Sequence, residues 1–484
     1  MSPLLLFSFV IAYFLILLGV AWYTGKNSNN DSFFIGNRNS NWMLVAFGMI
    51  GTSLSGVTFV SVPGAVAKES FAYFQITLGY LLGYLVIAYV LLPLYYRLNL
   101  TSIYNYLSSR LGFTSYKTGA SFFILSRTLG ATARLYLVVN ILQEAILKSF
   151  HVPFWATTLV ILVMILLYTY EGGVKTIVWT DTLQTTCMLA GLVICVIYIL
   201  SSLNLGFGES LQALSDKGYS TVFFTDPNSK FFFVKQILAG AFITITMTGM
   251  DQEMMQKNIS VKTLKDSQKN IITLAIIMLV VILLFLFLGG LLYLFATQNN
   301  IATTGDKLFP TVALQHMPPF ISVIFIIALI SALFPSADGA ITALTSSFCI
   351  DIIGMQRRTD IDEAQKKKMR QRVHLGFAAI FLLFVMIYKW IDEPSMIGVI
   401  LKVAAYTYGP LLGLFTFGIL LKRSVQDNLV PIICIAAPII CFFIDKFQKQ
   451  IFGSFEVGLE LLIINGLLTF IGLLLISKPA QAKA

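Results

Sequence analysis

The stretch 47-FGMIGTSLSGVTFVSVPGA-65 decides how this chain is read. It lies in an apolar run long enough to cross a bilayer, yet it holds four glycines, a proline and a file of hydroxyls: Thr52, Ser53, Ser55, Thr58 and Ser61. Glycine and small polar residues loosen a helix and leave backbone carbonyls free. In lipid, such loosening is tolerated where the freed groups line a cavity or bind something. Small residues also let two helices pack closely. At this point a broken, site-forming helix and a tight packing helix both fit.

Working outward, the 484 residues are 57% hydrophobic and 12% charged, with a mean hydropathy of +0.82. This composition belongs to an all-α polytopic membrane protein. The net charge of +10 resides in short loops, not on one soluble face, so it gives no sign of a nucleic-acid partner. Cys187, Cys195, Cys349, Cys434 and Cys441 fall in apolar stretches with no CxxC pair and read as small buried hydrophobes. His151, His316 and His374 stand near loop ends and have no metal-ligand spacing. Met1 to Thr24 lacks a basic start and a small-residue cleavage site, so it reads as a first membrane span.

Runs of about 17–25 apolar residues can each cross a bilayer. Thirteen are found: spans 1 to 13 over 4–24, 41–66, 75–96, 118–147, 153–170, 179–202, 232–251, 271–296, 320–350, 374–391, 395–421, 429–446 and 457–477. Of the 33 Lys and Arg, 21 fall in one alternating set of loops, 25–40, 97–117, 171–178, 252–270, 351–373, 422–428 and the tail. The positive-inside rule then places the N-terminus outside and the C-terminus in the cytoplasm of a cell (inner) membrane. Span 7, five spans after span 2, is also interrupted, by TITMTGMDQEMMQ with Thr248, Gly249 and Asp251. Five is odd, so the two units are inverted, the layout of alternating-access carriers.

Charge inside a bilayer is costly and marks candidates for function. Asp181, in GGVKTIVWTDTLQT at the start of span 6, has hydroxyls on either side and suits a hard cation or a proton; an interfacial helix cap is the structural alternative. Asp338 lies deeper, in LISALFPSADGAITALTSSFC, where Pro335 frees a carbonyl one turn back and Ser336 adds an oxygen. It reads as an ion ligand or proton carrier, or as half of a salt bridge. Arg127 and Arg134 share a face of span 4 and await either an anionic solute or resident acids. Lys402, near Tyr406 and Tyr408, faces a cavity or serves structure. There is no GxSxG, Walker A or HExxH, so the chain reads as no enzyme, and the longest cytoplasmic loop is too short for a nucleotide domain.

FFIGNRNSNW, GTSLSG…VPGA, TSIYNYLSSRLG, GGVKTIVWTDTLQT, GMDQEMMQKNIS and YTYGPLLGLFTFGIL, in this order, resemble the sodium:solute symporter family over about residues 30–423. The pattern is similar to the family's bacterial sialic acid and proline carriers and, through YTYGPLLGLF, to its iodide and multivitamin carriers. The resemblance implies one transmembrane domain, 1–478, with a LeuT-type core. Residues 41–202 would form the first repeat and 232–421 the second; span 1 and residues 429–477 would be peripheral, and 479–484 a cytoplasmic tail. It implies sodium-coupled import of a small polar organic solute, with a sugar acid or similar carboxylate as one class. A proton-coupled carrier of the same fold, a neutral sugar or polyol symporter, and a membrane sensor or channel are the alternatives.

The same resemblance implies a sodium site from the carbonyls of Gly51, Leu54 and Ala332 and the hydroxyl of Ser336. Pro335 stands where the family usually has a second hydroxyl. A second ion site would use Asp181 and Asp338, the latter at a position where some members carry a hydroxyl. The solute would lie against Ser53, Ser55, Thr58 and Arg134, with Thr248 of span 7 and Tyr406 of span 11 completing the set. Sodium is the co-transported ion, the bilayer is the setting, and a monomer suffices.

Overall fold

The computed structural model describes residues 3–25, 30–170, 173–390 and 396–479. Helices stand at all thirteen expected positions. Eight are long and apolar enough to cross a membrane singly, three positions are bent pairs, and two, Phe154–Thr169 (span 5) and Leu461–Leu475 (span 13), are shorter apolar helices. The bent pairs are span 2, Trp42–Ser53 with Gly56–Glu69 at 54°; span 7, Phe233–Gly249 with Gln252–Ile259 at 65°; and span 11, Met396–Thr407 with Gly409–Leu420 at 45°. The remaining spans run Leu4–Thr24 (1), Tyr73–Arg97 (3), Phe113–Ala145 (4), Gly173–Leu203 (6), Leu264–Gln298 (8), Pro319–Ile352 (9), Glu363–Tyr388 (10) and Asp427–Phe452 (12).

Burial orders these helices from hub to rim. Span 9 has 83% of its apolar window buried, against 28% for span 1 and 22% for span 12. Spans 1 and 12 therefore turn their apolar faces outward, with Leu4, Leu15, Ile16, Ile432, Ile435 and Phe442 exposed as a lipid-facing surface would require. Spans 3 and 7 touch backbone to backbone: a Cβ on Gly79 would strike the Ile237 carbonyl, and one on Gly240 the Ile76 carbonyl. Small residues at such crossings let dispersion act over a wide contact where lipid gives no hydrophobic drive.

The loops gather at two ends, as alternating crossings demand. At one end Arg110 donates to the carbonyls of Gly418, Leu421 and Arg423, Asp427 accepts from Thr114 and Ser115, and Asp351 accepts from Ser102 and Tyr116. A two-stranded ribbon at this end pairs β1, Arg423–Val425, with β2, Ser477–Pro479. At the other end the Phe71 N–H meets the Thr221 carbonyl, Glu456 meets Asn228, and Asp306 accepts from the Met396 N–H.

Three expectations need correction. Span 6 begins at Gly173, not 179, so Asp181 is two turns inside a helix and fully buried instead of capping its start. Span 7 continues past 251 to Ile259, so Glu253 and Lys257, expected in the loop 252–270, are buried helix residues. His374 is not at a loop edge; it is buried, with Nε2 on the Thr169 hydroxyl and Nδ1 on the Thr345 hydroxyl, joining spans 5, 9 and 10. Most of the expected tail, 480–484, lies outside the described residues.

Candidate functional site: a broken helix between a cavity and an ionic network

The first half of span 2 ends because Leu54 and Ser55 leave the helical region, with ψ of 78° and 170°. The last backbone bond of the first half runs from the Leu54 N–H to the Ile50 carbonyl at 2.7 Å, and the second half starts with the Phe59 N–H on the Ser55 carbonyl at 3.1 Å. The carbonyls of Gly51, Thr52, Ser53 and Leu54 therefore fall past the end of the first ladder, as helix ends leave them. Gly51 is wedged: a Cβ there would strike the Thr185 hydroxyl and sit 3.5 Å from the Pro335 ring, while its N–H donates to Thr185 Oγ1 at 3.1 Å. Gly56 lies against the backbone of span 9 at Leu329 and Leu333. The break is thus pressed onto the Pro335 turn of span 9. There Ser336 Oγ donates to the Leu333 carbonyl at 2.8 Å, which leaves its lone pairs able to accept a cation. Gly51, Leu54, Ala332, Pro335 and Ser336 thus belong to two chain segments in contact, all buried.

On one side of the break opens a cavity of about 100 Å³. Ser53, Ser55, Thr58, Arg134 and Thr248 line it, with Tyr73, Tyr80 and Tyr84 of span 3 opposite. Many buried helix hydroxyls turn back onto their own backbone, as Thr132 does to Thr128 at 2.6 Å and Ser126 to Phe122 at 2.7 Å. Among the described residues the hydroxyls of Ser53, Ser55, Thr58 and Thr248 make no such bond. Most of the remaining wall is apolar, from Ile243, Met247, Met278, Ile397 and Ile400 among others; Thr52, Arg127 and Thr244 also belong to it, and no Asp, Glu, Asn or Gln does. Arg134 has no carboxylate within ion-pair distance among the described residues.

Beside it lies a buried ionic network, which shares Thr52 and Arg127 with the cavity wall. Arg127, two turns before Arg134, pairs with Glu253 and stands 3.8 Å from Asp251. Asp251 caps the inner half of span 7, accepting from the Glu253 N–H at 2.9 Å, and takes a further bond from the Tyr408 hydroxyl at 2.7 Å. Lys257 Nζ lies 2.7 Å from Asp181 Oδ2, 2.6 Å from Thr52 Oγ1 and 3.9 Å from Glu253 Oε1. Asp338 accepts from the Tyr168 hydroxyl at 2.7 Å and from the Gly339 N–H. The side chains of Arg127, Lys257, Asp181 and Glu253 are each at most 4% exposed.

The structure thus brings together five of the six solute candidates and sets Tyr406 apart. Its hydroxyl donates to Asp445 at 2.7 Å, where Lys402 also pairs at 2.8 Å, outside the cavity lining. Asp181 and Asp338 are held by separate partners. Glu253 and Lys257 were missed as site-forming residues, although the quoted motif GMDQEMMQKNIS contains both; Asp251, a strong cap residue with a Glu two places on, was the signal that a new helix starts there.

A family model described as the sodium:solute symporter family matches residues 33–427. The sodium/sialic acid symporter SiaT of Proteus mirabilis is 25% identical over 477 residues, covering 93% of this chain and 92% of that protein. The mouse sodium-coupled monocarboxylate transporter 1 is 25% identical over 413 residues, covering 83% of this chain and 66% of its own length. A solved structure of a Na+-coupled sialic acid symporter in its substrate-bound outward-open state superposes with a TM-score of 0.83 at 20% identity, covering 98% and 99% of the two chains. That likeness carries the fold, an all-α LeuT-type architecture. Because the family match runs through both broken helices and the span 9 turn that braces them, the chain belongs to the sodium:solute symporter family: it is a membrane-embedded, sodium-coupled carrier of a small solute, and not an enzyme.

Proposed function

We propose that the protein imports a small carboxylate-bearing organic solute, a sugar acid or similar, by alternating access with sodium. The observation that carries this reading is the pair of arginines on one face of span 4. Both line the cavity, but Arg127 is neutralised by Glu253, whereas Arg134 has no acid within ion-pair distance among the described residues. A guanidinium on a cavity wall without a carboxylate partner is matched by an anionic group on the ligand. The hydroxyls of Ser53, Ser55, Thr58 and Thr248 would bind the solute's polar atoms. Two relatives, named for sialic acid and for monocarboxylates, support the same class.

Sodium would bind where the break of span 2 meets span 9, on the carbonyls of Gly51, Leu54 and Ala332, the Ser336 hydroxyl and the Pro335 carbonyl. These are hard oxygens, suited to a hard cation. By knitting the break to span 9, sodium would set the hydroxyls of the adjoining cavity, so that each ligand raises the affinity of the other by one factor. Residues 41–202 and 232–421 would act as the inverted repeats. The loop asymmetry of Lys and Arg, which outlasts the removal of Lys257 from the loops, supports a cell-membrane topology with the N-terminus outside and the C-terminus in the cytoplasm.

A proton-coupled version of the same cycle draws on Asp338, which has no cation within ion-pair distance among the described residues. Uptake in sodium-free buffer at low external pH would favour it. A thermal-shift screen of the purified protein against carboxylates, polyols and amino acids, with and without sodium, tests the main reading. Carboxylates should stabilise the protein only with sodium; stabilisation by neutral polyols alone would overturn the carboxylate assignment.

A further inference from the structure

We propose that Lys257 is a resident cation occupying the second ion position, so that each chain binds and carries a single sodium ion. This rests on the sodium-coupled reading above and adds the number of ions. The ammonium sits on Asp181, one of the two acids expected to hold a second cation. It meets Asp181 Oδ2 at 2.7 Å and Thr52 Oγ1 at 2.6 Å, with Glu253 Oε1 at 3.9 Å, and its side chain is 3% exposed. An ammonium is a compact point charge with three donors, and two carboxylates and a hydroxyl are the oxygens that would satisfy a small hard cation in its place. Asp338, the other acid expected to hold that ion, accepts instead from the Tyr168 hydroxyl and the Gly339 N–H.

The tether also does mechanically what a bound ion would do. Lys257 belongs to the inner half of broken span 7, Thr52 to the break of span 2, and Asp181 to span 6. One ammonium therefore links the discontinuous spans 2 and 7 to a common neighbour. A second sodium on Asp181 would meet a like charge a few ångströms away in a dry site, where such repulsion is least screened. Two buried oxygens of this cluster, Asp181 Oδ1 and Glu253 Oε1, have no hydrogen-bond partner among the described residues. Withdrawing the ammonium would leave them, with Thr52, ready for a free ion.

Equilibrium binding of radioactive sodium to the purified full-length protein tests this. The wild type should bind one sodium per chain with a Hill coefficient of about 1. Lys257→Gln should bind two, with a Hill coefficient rising toward 2, and Lys257→Arg, which keeps the charge, should stay at one. Two sodium ions on the wild type would overturn the inference whatever the variants do, as would a folded Lys257→Gln protein that still binds one. Should Lys257→Gln fail to fold, the wild-type count and Lys257→Arg decide. A wild type that binds no sodium would overturn both this inference and the sodium site of spans 2 and 9.

Discussion

The two sides of the span 2 break are built on opposite principles. On the cavity side, hydroxyls and the Arg134 guanidinium line open space with no acid among the described lining residues. On the network side, Arg127, Glu253, Asp251, Lys257 and Asp181 hold one another in a region almost closed to solvent. The same residue type, two turns apart on one helix, thus serves recognition at 134 and cohesion at 127. A buried ion pair is weak evidence of net stabilisation, but losing one partner leaves a stranded charge, which is costly. An unpartnered charge facing a cavity has the reverse economy: removing it costs the fold little and the ligand much.

The largest expected effect follows from breaking the network. Glu253→Gln leaves Arg127 buried with only Asp251, at 3.8 Å, to balance it. A loss of about 3–5 kcal/mol is expected, read as a drop of several degrees in the melting temperature of detergent-purified protein. An unchanged melt would mean that the two sides do not differ as described. Next is Arg134→Gln. Losing a charge-assisted contact worth roughly 2–3 kcal/mol should weaken carboxylate binding about 100-fold, while the melt of the solute-free protein stays within a degree or so of wild type. Normal uptake would assign Arg134 to structure. Ser336→Ala should be milder, raising the sodium needed for half-maximal uptake about fivefold, for one neutral ligand worth about 1 kcal/mol. Unchanged sodium dependence would remove Ser336 from the site.

The smallest effect concerns Asp306, which pins the Met396 N–H at 3.1 Å, at the start of span 11 and beside the cavity residues Ile397 and Ile400. Burial raises its carboxyl above the ordinary aspartate range, with the Met396 N–H pulling the other way. The folded protein therefore holds this proton more tightly than the unfolded chain. Its contribution to stability is greatest below the ordinary aspartate value, about 3.9, and declines as pH rises through the higher folded value. Asp306→Asn should remove that decline from the pH profile of the melt; a profile identical to wild type would show that Asp306 is not the group responsible.

Much of this was legible in the residues. Four glycines among hydroxyls marked the break of span 2, and apolar runs located the helices, because a bilayer demands both length and backbone closure. The arc Pro335–Ser336 could be placed opposite the break from the family resemblance. What stayed hidden was the inner half of span 7. QEMMQKNI is polar by composition, and composition alone sends such a segment to solvent. Its burial depends on partners from spans 2, 4 and 6, all distant in sequence, so no local pattern reports it. Tyr406 misled for the converse reason: it shares the first half of span 11 with cavity residues, but its hydroxyl is held by Asp445 of span 12.

The small ribbon between Arg423–Val425 and Ser477–Pro479 has a consequence for how the molecule can be handled. It zips the chain leaving span 11 to the chain leaving span 13, so spans 12 and 13 form a closed handle on one end of the bundle. Arg110 grips the same corner through the carbonyls of Gly418, Leu421 and Arg423. A purification tag fused straight after Ile476 would unzip this handle, whereas one placed beyond Pro479 would leave it shut.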